Sequence, residues 1–187
     1  MTETRFHGLT VFTAPGRVMT PRPSTEALVD RALELVNGSP ARIADVGTGS
    51  GAIAVALAAR APRAEIWATD TSAEAVWLAR LNAARLGVGD RVHIVRGDLL
   101  EPVPGPFDLV LANLPYLPES EAGDPDIAGE PPSAVLAPGD GLGPYRSLLA
   151  QCESRLAEDG LLVIQLRRRI LEAGLDELAA FEQRLAA

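Results

Sequence analysis

The sequence predicts an α/β protein built on a doubly wound, mainly parallel sheet, and three observations carry that prediction. Four short apolar runs rich in β-branched residues recur along the chain, at Arg42 to Val46, Ala64 to Ala68, Val92 to Val95 and Phe107 to Ala112. Helix-patterned segments separate the first three. Glycine-rich or polar turns end the runs, as in Gly47-Thr48-Gly49-Ser50-Gly51 and Asn113-Leu114-Pro115-Tyr116. Strands alternating with helices pair in parallel, with helices covering both faces.

Taken in order, residues 1–20 form a short amino-terminal segment, and the first run leads through the glycine turn into a helix over Ala52 to Arg60. Thr71 to Glu74 has the spacing of a capping box, at the head of a helix carrying Val76, Leu78, Leu81 and Leu86 and stopped by Gly87. The fourth run is followed by Leu117 to Pro144, rich in Pro, Gly and acids and too long for an ordinary connection; it is either a disordered insertion or the wall of a site. A helix over about Tyr145 to Leu156 and a fifth strand over Leu161 to Leu166 follow, and residues 167–187 carry a helical pattern. No sixth or seventh strand is legible, which would leave the fifth as an edge to be covered by a second copy, a partner or the amino-terminal segment.

At 187 residues and 47% hydrophobic, the chain suits one domain with one core. A formal charge of -8 opposes broad binding to a phosphate backbone, which needs basic side chains to displace counterions. All 17 basic residues are arginine, so Schiff-base chemistry and a lysine base are excluded. The single Cys152 rules out an internal disulfide or a cysteine-based metal cluster and reads as a buried, inert thiol; no metal site is expected. His7 and His93 read as structural or surface residues. No signal-like start and no run near the ~18 apolar residues of a membrane helix is present, and the cytoplasm follows as the expected compartment.

The chemistry concentrates at strand ends. Gly47, Thr48, Gly49 and Gly51 form a turn that lets backbone approach a ligand closely, although a tight turn without ligand has the same composition. The turn also fits the dinucleotide pattern G-x-G-x-x-A, which keeps a nicotinamide enzyme open. Asp70, 19 residues after Gly51, is placed to accept ribose hydroxyls, Asp98 suits the amine of adenine, and Asp45 suits a cationic tail. Together they describe the nucleoside and sulfonium of S-adenosyl-L-methionine. Asn113 and the Leu114 carbonyl can each accept one N–H of an amide or amine, and Pro115-Tyr116 adds an aromatic face for it. Such a nitrogen must be held with its lone pair aimed at the methyl group. The bland reading of Asn113 to Tyr116 is a turn with a packed tyrosine.

These motifs resemble the catalytic domain of the glutamine N5-methyltransferases that act on peptide-chain release factors, a branch of the Rossmann-like class I S-adenosylmethionine-dependent methyltransferases. The resemblance runs from about Met19 to Leu166. It includes Pro21-Arg22-Pro23-Ser24-Thr25-Glu26, the glycine loop with Asp70 and Asp98, Glu130-Pro131, Ala134 with Leu136, and Asp140-Gly141-Leu142 followed by Tyr145-Arg146. It implies a protein substrate and makes Leu117 to Pro144 a site wall. Position 114 departs from the family's Asn-Pro-Pro-Tyr: the carbonyl is kept and the ring lost, so Leu114→Pro is expected to be tolerated. Asn-Leu-Pro-Tyr also resembles the motif of ribosomal-RNA adenine dimethyltransferases, so adenine N6 in nucleic acid is the second reading. An inactive, cofactor-binding partner protein is the third.

Overall fold

The computed structural model describes residues 1–167. The chain opens with an antiparallel hairpin of β1 (Thr2–Phe6) and β2 (Leu9–Thr13), turned by His7 and Gly8 at φ 47° and 77°. Sequence reasoning assigned nothing to this segment, although apolar and polar residues alternate around a two-residue turn. Helix α1 (Pro23–Val36) starts on a proline in its first turn and ends at Asn37 in the left-handed conformation, whose N–H reaches the Leu33 carbonyl. Glu26 and Asp30 on α1 hold the hairpin tip through the His7 amide at 2.7 Å and its Nε2 at 2.8 Å.

The parallel core follows as β3 (Ala41–Val46), α2 (Ala52–Arg60), β4 (Ala64–Asp70), α3 (Ala73–Arg85), β5 (Val92–Arg96) and β6 (Phe107–Ala112). These agree with the expected segments to within a residue or two. After β6 come the short β7 (Leu117–Pro118), two single 3₁₀ turns, α4 (Pro132–Val135) and β8 (Leu136–Ala137), which pairs with β7. Helix α5 (Gly143–Arg155) then leads into β9 (Leu156–Ile164). The main sheet has five strands in the order β5-β4-β3-β6-β9, all parallel. Strand β9 begins earlier than expected because Leu156 pairs with Phe107 before an irregularity, and regular pairing resumes at Leu161 with Leu109. It is an edge strand among the described residues. The expected carboxy-terminal helix, apart from Arg167, lies outside them.

Both faces of the sheet are covered. On one, α1, α2 and α3 bury Ile43, Ile66, Leu109 and Leu111, and residues Ala52 to Ala58 of α2 are buried without exception. A helix so enclosed needs its last carbonyls satisfied from outside. The Arg91 guanidinium does this, reaching the Ala58 carbonyl at 2.6 Å and that of the cap residue Ala61 at 3.2 Å, and it also meets the Ala64 carbonyl at the start of β4 at 3.4 Å. On the other face α5 packs Leu148 and Cys152 over Ala44, Phe107 and Val110. Burial pushes the Cys152 thiol up to about 12, as an inert core residue requires. His93 stacks on Trp67 at 4.5 Å and meets Glu65 at 3.0 Å, which is a structural role.

Two expectations are corrected. The amino-terminal segment does not cover β9: Phe12 exchanges backbone hydrogen bonds of 2.7 and 3.0 Å with the buried amide of Asn82, fixing the hairpin to α3. The helix cap is Ser72 rather than Thr71, because Asp70 Oδ1 accepts the Ser72 N–H at 2.9 Å and sets Ser72 extended. Its Oγ then accepts from the Ala75 N–H at 3.3 Å. Among the described residues no helix is long and apolar enough to cross a membrane.

Candidate functional site

Strand β3 has β4 on one side and β6 on the other, so the connections leaving it and β6 diverge to opposite faces and open a crevice at their carboxyl ends. Register decides what stands there. Val46 lies opposite both Thr69 and Ala112, which sets Gly47 level with Asp70 and Asn113, while Asp70 lies opposite Arg96, just before Gly97 and Asp98. The crevice is a cavity of about 270 Å³ that opens to solvent, and its lining includes Gly47, Gly49, Asp70, Asp98, Asn113, Leu114 and Pro115.

The loop after β3 is fixed from below. The amides of Gly47 and Thr48 both donate to the Thr69 carbonyl at 2.9 Å, and the Gly49 amide donates to Asp70 Oδ2 at 2.9 Å. Gly47 holds the left-handed conformation at φ 72°, and a Cβ there would lie 2.7 Å from Leu114 Cδ2 and force that side chain to move. Gly51 serves packing instead, since a Cβ would come within 2.8 Å of the Ala79 Cβ. Thr48 turns its hydroxyl down to Asp45 Oδ2 at 2.6 Å. Asp45 is fully buried beneath the loop, its Oδ1 without a partner of good hydrogen-bond geometry, and burial raises its carboxyl to about 6, against the Thr48 hydroxyl and the nearby Ala54 amide of α2. Asp70 is also raised by burial, with the Ser72 and Gly49 amides opposing the shift.

At the far side of β4, Leu99 lines the crevice beside Asp98 with φ 47°, a conformation that costs a bulky residue about 1–3 kcal/mol. A strained residue beside an expected ligand carboxylate marks the loop as shaped for a site. At the β6 side, Asn113 Nδ2 donates to Thr25 Oγ1 at 3.3 Å, an arrangement in which Oδ1 faces away from Thr25. Tyr116 stands behind, in a second, smaller pocket with Leu117, Ile127, Val135, Arg22 and Arg167. Asn113, Leu114, Met19 and Ala134 border both chambers.

The long Pro-rich segment is folded and does form a wall: Pro131, Ser133, Ala134 and Pro144 line the crevice, while Asp124 ties to Arg167 at 2.5 Å. Asp140 accepts from Leu142 N at 3.0 Å and from the Arg146 guanidinium at 2.9 and 2.6 Å, which holds its carboxyl down at about 2. Sequence reasoning missed Arg17, Val18, Met19, Thr25, Ser72 and Leu99. For Thr25 the resembling Pro21 to Glu26 block was a signal. For Leu99 none existed, because its backbone conformation is set by the loop closing over it.

A doubly wound parallel sheet with this crevice at its switch point is the Rossmann-like class I methyltransferase fold. Residues 23–128 match the Methyltransferase small domain family, and the chain belongs to that family. It is 43% identical over 160 residues to a release factor glutamine methyltransferase of Deinococcus radiodurans, covering 84% of this chain and 57% of that protein. It is 42% identical over 154 residues to the protein of the same name from Gloeobacter violaceus, covering 80% and 54%. The chain thus spans a little over half the length of these curated relatives. Among solved structures, the ribosomal protein L11 methylase of Lactobacillus delbrueckii subsp. bulgaricus superposes with a TM-score of 0.65 at 27% identity, over 89% of this chain and 72% of that one.

Proposed function

We propose that this chain transfers a methyl group from S-adenosyl-L-methionine to the side-chain amide nitrogen of a glutamine, in a protein substrate of the peptide-chain release factor class. The observation that carries the reading is the shared wall: Asn113 and Leu114 border both the large crevice and the smaller chamber behind it. A donor in one and an acceptor in the other would meet at these two residues. The relatives named for release factor glutamine methylation support the choice of acceptor, and such a substrate implies action in the cytoplasm.

The residues fit the cofactor. Asp70, with both oxygens already anchored on Gly49 and Ser72, offers its remaining lone pairs to ribose hydroxyls. Asp98 and Leu99 stand at the end suited to adenine, and Gly47 and Gly49 leave the backbone bare beside the chain between ribose and amino acid. Asp45 lies under the loop with a buried oxygen that lacks a partner of good hydrogen-bond geometry and a charge complementary to a sulfonium, acting through the loop rather than by direct contact. When bound, the cofactor supplies an electrophilic methyl group on a positively charged sulfur.

The acceptor amide is a weak nucleophile, so the task of the chain is alignment. Thr25 turns Asn113 so that Oδ1 is free to accept one N–H of the glutamine amide, and the Leu114 carbonyl accepts the other. Tyr116 offers its ring to the amide plane. As the nitrogen gains the methyl group its two N–H groups become more acidic, the Asn113 Oδ1 and the Leu114 carbonyl stabilise that developing charge, and one of the two protons is then released to solvent water.

The test is single-turnover transfer of labelled methyl groups to a release-factor fragment containing the glutamine, beside nucleic acid as a control. Label should enter the protein fragment. Asn113→Ala should lower the rate about 10²- to 10³-fold, with S-adenosylhomocysteine affinity nearly unchanged. A wild-type chain that binds cofactor yet labels neither acceptor would overturn the reading in favour of an inactive binder, and label in nucleic acid alone would replace the substrate class.

A further inference from the structure

The Asn113 to Tyr116 turn has a further support, carboxy-terminal to residues 23–128. Tyr145 lies in the first turn of α5, 4% exposed, and its hydroxyl meets three backbone groups: the Leu114 N–H at 3.0 Å, the Gln165 carbonyl at 2.9 Å and the Leu114 carbonyl at 3.3 Å. A phenol has one proton and can accept from one or two donors. It therefore accepts the Leu114 N–H and donates to one carbonyl. The shorter partner is Gln165, whose own amide donates to Ala112 at 3.0 Å, at the end of β6. This leaves the Leu114 carbonyl its lone pairs for a substrate N–H.

We infer that Tyr145 is a positioning residue for methyl transfer: its buried hydroxyl, bridging the Leu114 N–H to the Gln165 carbonyl, fixes the turn that presents Asn113 Oδ1 and the Leu114 carbonyl. The inference rests on the functional reading above for its effect on rate, but not for the hydrogen bond itself. It assigns a use to the block from Asp140 to Arg146. The Asp140–Arg146 pair and the Leu142 N–H to Asp140 bond set the start of α5, and α5 delivers the hydroxyl. It also revises the expectation for position 114. A proline there stiffens the turn through its ring but has no N–H, whereas leucine supplies a donor that only an acceptor from α5 satisfies. Leucine exchanges ring rigidity for an external hydrogen bond. Leu114→Pro is thus not neutral here, because it removes the donor that Tyr145 receives.

The test is a cycle of Tyr145→Phe, Leu114→Pro and the double variant, read by single-turnover rate, S-adenosylhomocysteine affinity, and hydrogen exchange at the Leu114 amide. Tyr145→Phe removes one oxygen and leaves a buried N–H unsatisfied, so the rate should fall about tenfold at saturating cofactor, with cofactor affinity within about twofold. Exchange at Leu114 should accelerate. In the Leu114→Pro background the same change should cost about threefold or less, because the Leu114 N–H is already absent. A Tyr145→Phe rate equal to wild type, or equal costs in both backgrounds, overturns the inference, since a tyrosine that only packs α5 gives additive effects. If the wild type transfers no methyl group, the functional reading fails separately; exchange at Leu114 then decides, and an unaltered exchange rate overturns the hydrogen-bond assignment. The same exchange measurement decides if Leu114→Pro does not fold.

Discussion

Asp45 and Asp70 are neighbouring carboxylates with different work to do. Asp45 is sealed under the glycine loop, and its carboxyl is raised by burial from 3.8 to about 6. Because the folded state holds this proton more tightly than the unfolded chain, the group's contribution to stability is greatest below about pH 4 and is lost as pH rises through about 6. Asp45→Asn, neutral throughout, should therefore be more stable than wild type at pH 7.5 by up to about 3 kcal/mol, an advantage that shrinks to nothing near pH 4. Urea unfolding of both proteins across that range checks the sign, and an advantage growing toward low pH would contradict it. Asp70 is half-buried and holds the amides of Gly49 and Ser72. Asp70→Ala should weaken S-adenosylhomocysteine binding by about 1.5–3 kcal/mol, the range for hydrogen bonds to a charged group, measured by titration calorimetry. It should also lower stability, since two backbone donors lose their acceptor. Loss of stability with unchanged affinity would confine Asp70 to holding the loop.

Helix α3 shows how an element is placed by contacts on both of its ends and along its side. Asp70 positions Ser72 as its cap, Gly87 at φ 66° lets the chain turn away after it, and Asn82 at its inner face joins it to both the hairpin and the Ser50 carbonyl at 2.8 Å. It lies so close to the glycine loop that position 51 tolerates no side chain. Gly51→Ala should cost about 2–4 kcal/mol, combining a left-handed backbone with overpacking, and should weaken cofactor binding through the displaced loop. Denaturant unfolding reads the first and titration the second. A loss below about 1 kcal/mol would mean that α3 shifts freely, and the loop would then not depend on it. The wall from Leu117 to Pro144 is the contrasting case: only short pieces of regular structure, held by Asp124 on Arg167, Glu130 on the Thr20 amide at 3.0 Å and Asp140 on Arg146.

At the scale of the whole molecule, the crevice draws on the ends of β3, β4, β5 and β6, the loop before α1 and the wall before α5. A ligand filling it ties together segments that are far apart in sequence, so binding should be visible as global stability. At a hundredfold excess over its dissociation constant S-adenosylhomocysteine should add about 2.7 kcal/mol, a rise in Tm of about 5–10 °C for a chain of this size. NAD should give none. A shift with NAD and none with S-adenosylhomocysteine in differential scanning fluorimetry would reverse the choice of cofactor.

The sequence by itself determined the parallel sheet, the glycine turn and the strand-end positions of Asp70, Asp98 and Asn113, because each rests on local signals. Apolar runs of strand length mark buried strands, and a ligand-facing residue comes directly after its strand. The tertiary structure decided what depends on packing between distant segments. Ser72 rather than Thr71 caps α3 because Asp70 reaches its amide, the amino-terminal hairpin docks on Asn82 rather than on β9, and Asp45 is sealed beneath the loop instead of lining the crevice. Leu114 and Tyr145 are 31 residues apart, and no pattern in either segment announces that one would satisfy the other. Only the folding of α5 against the end of β6 brings that hydroxyl to a backbone N–H that a proline would not have had.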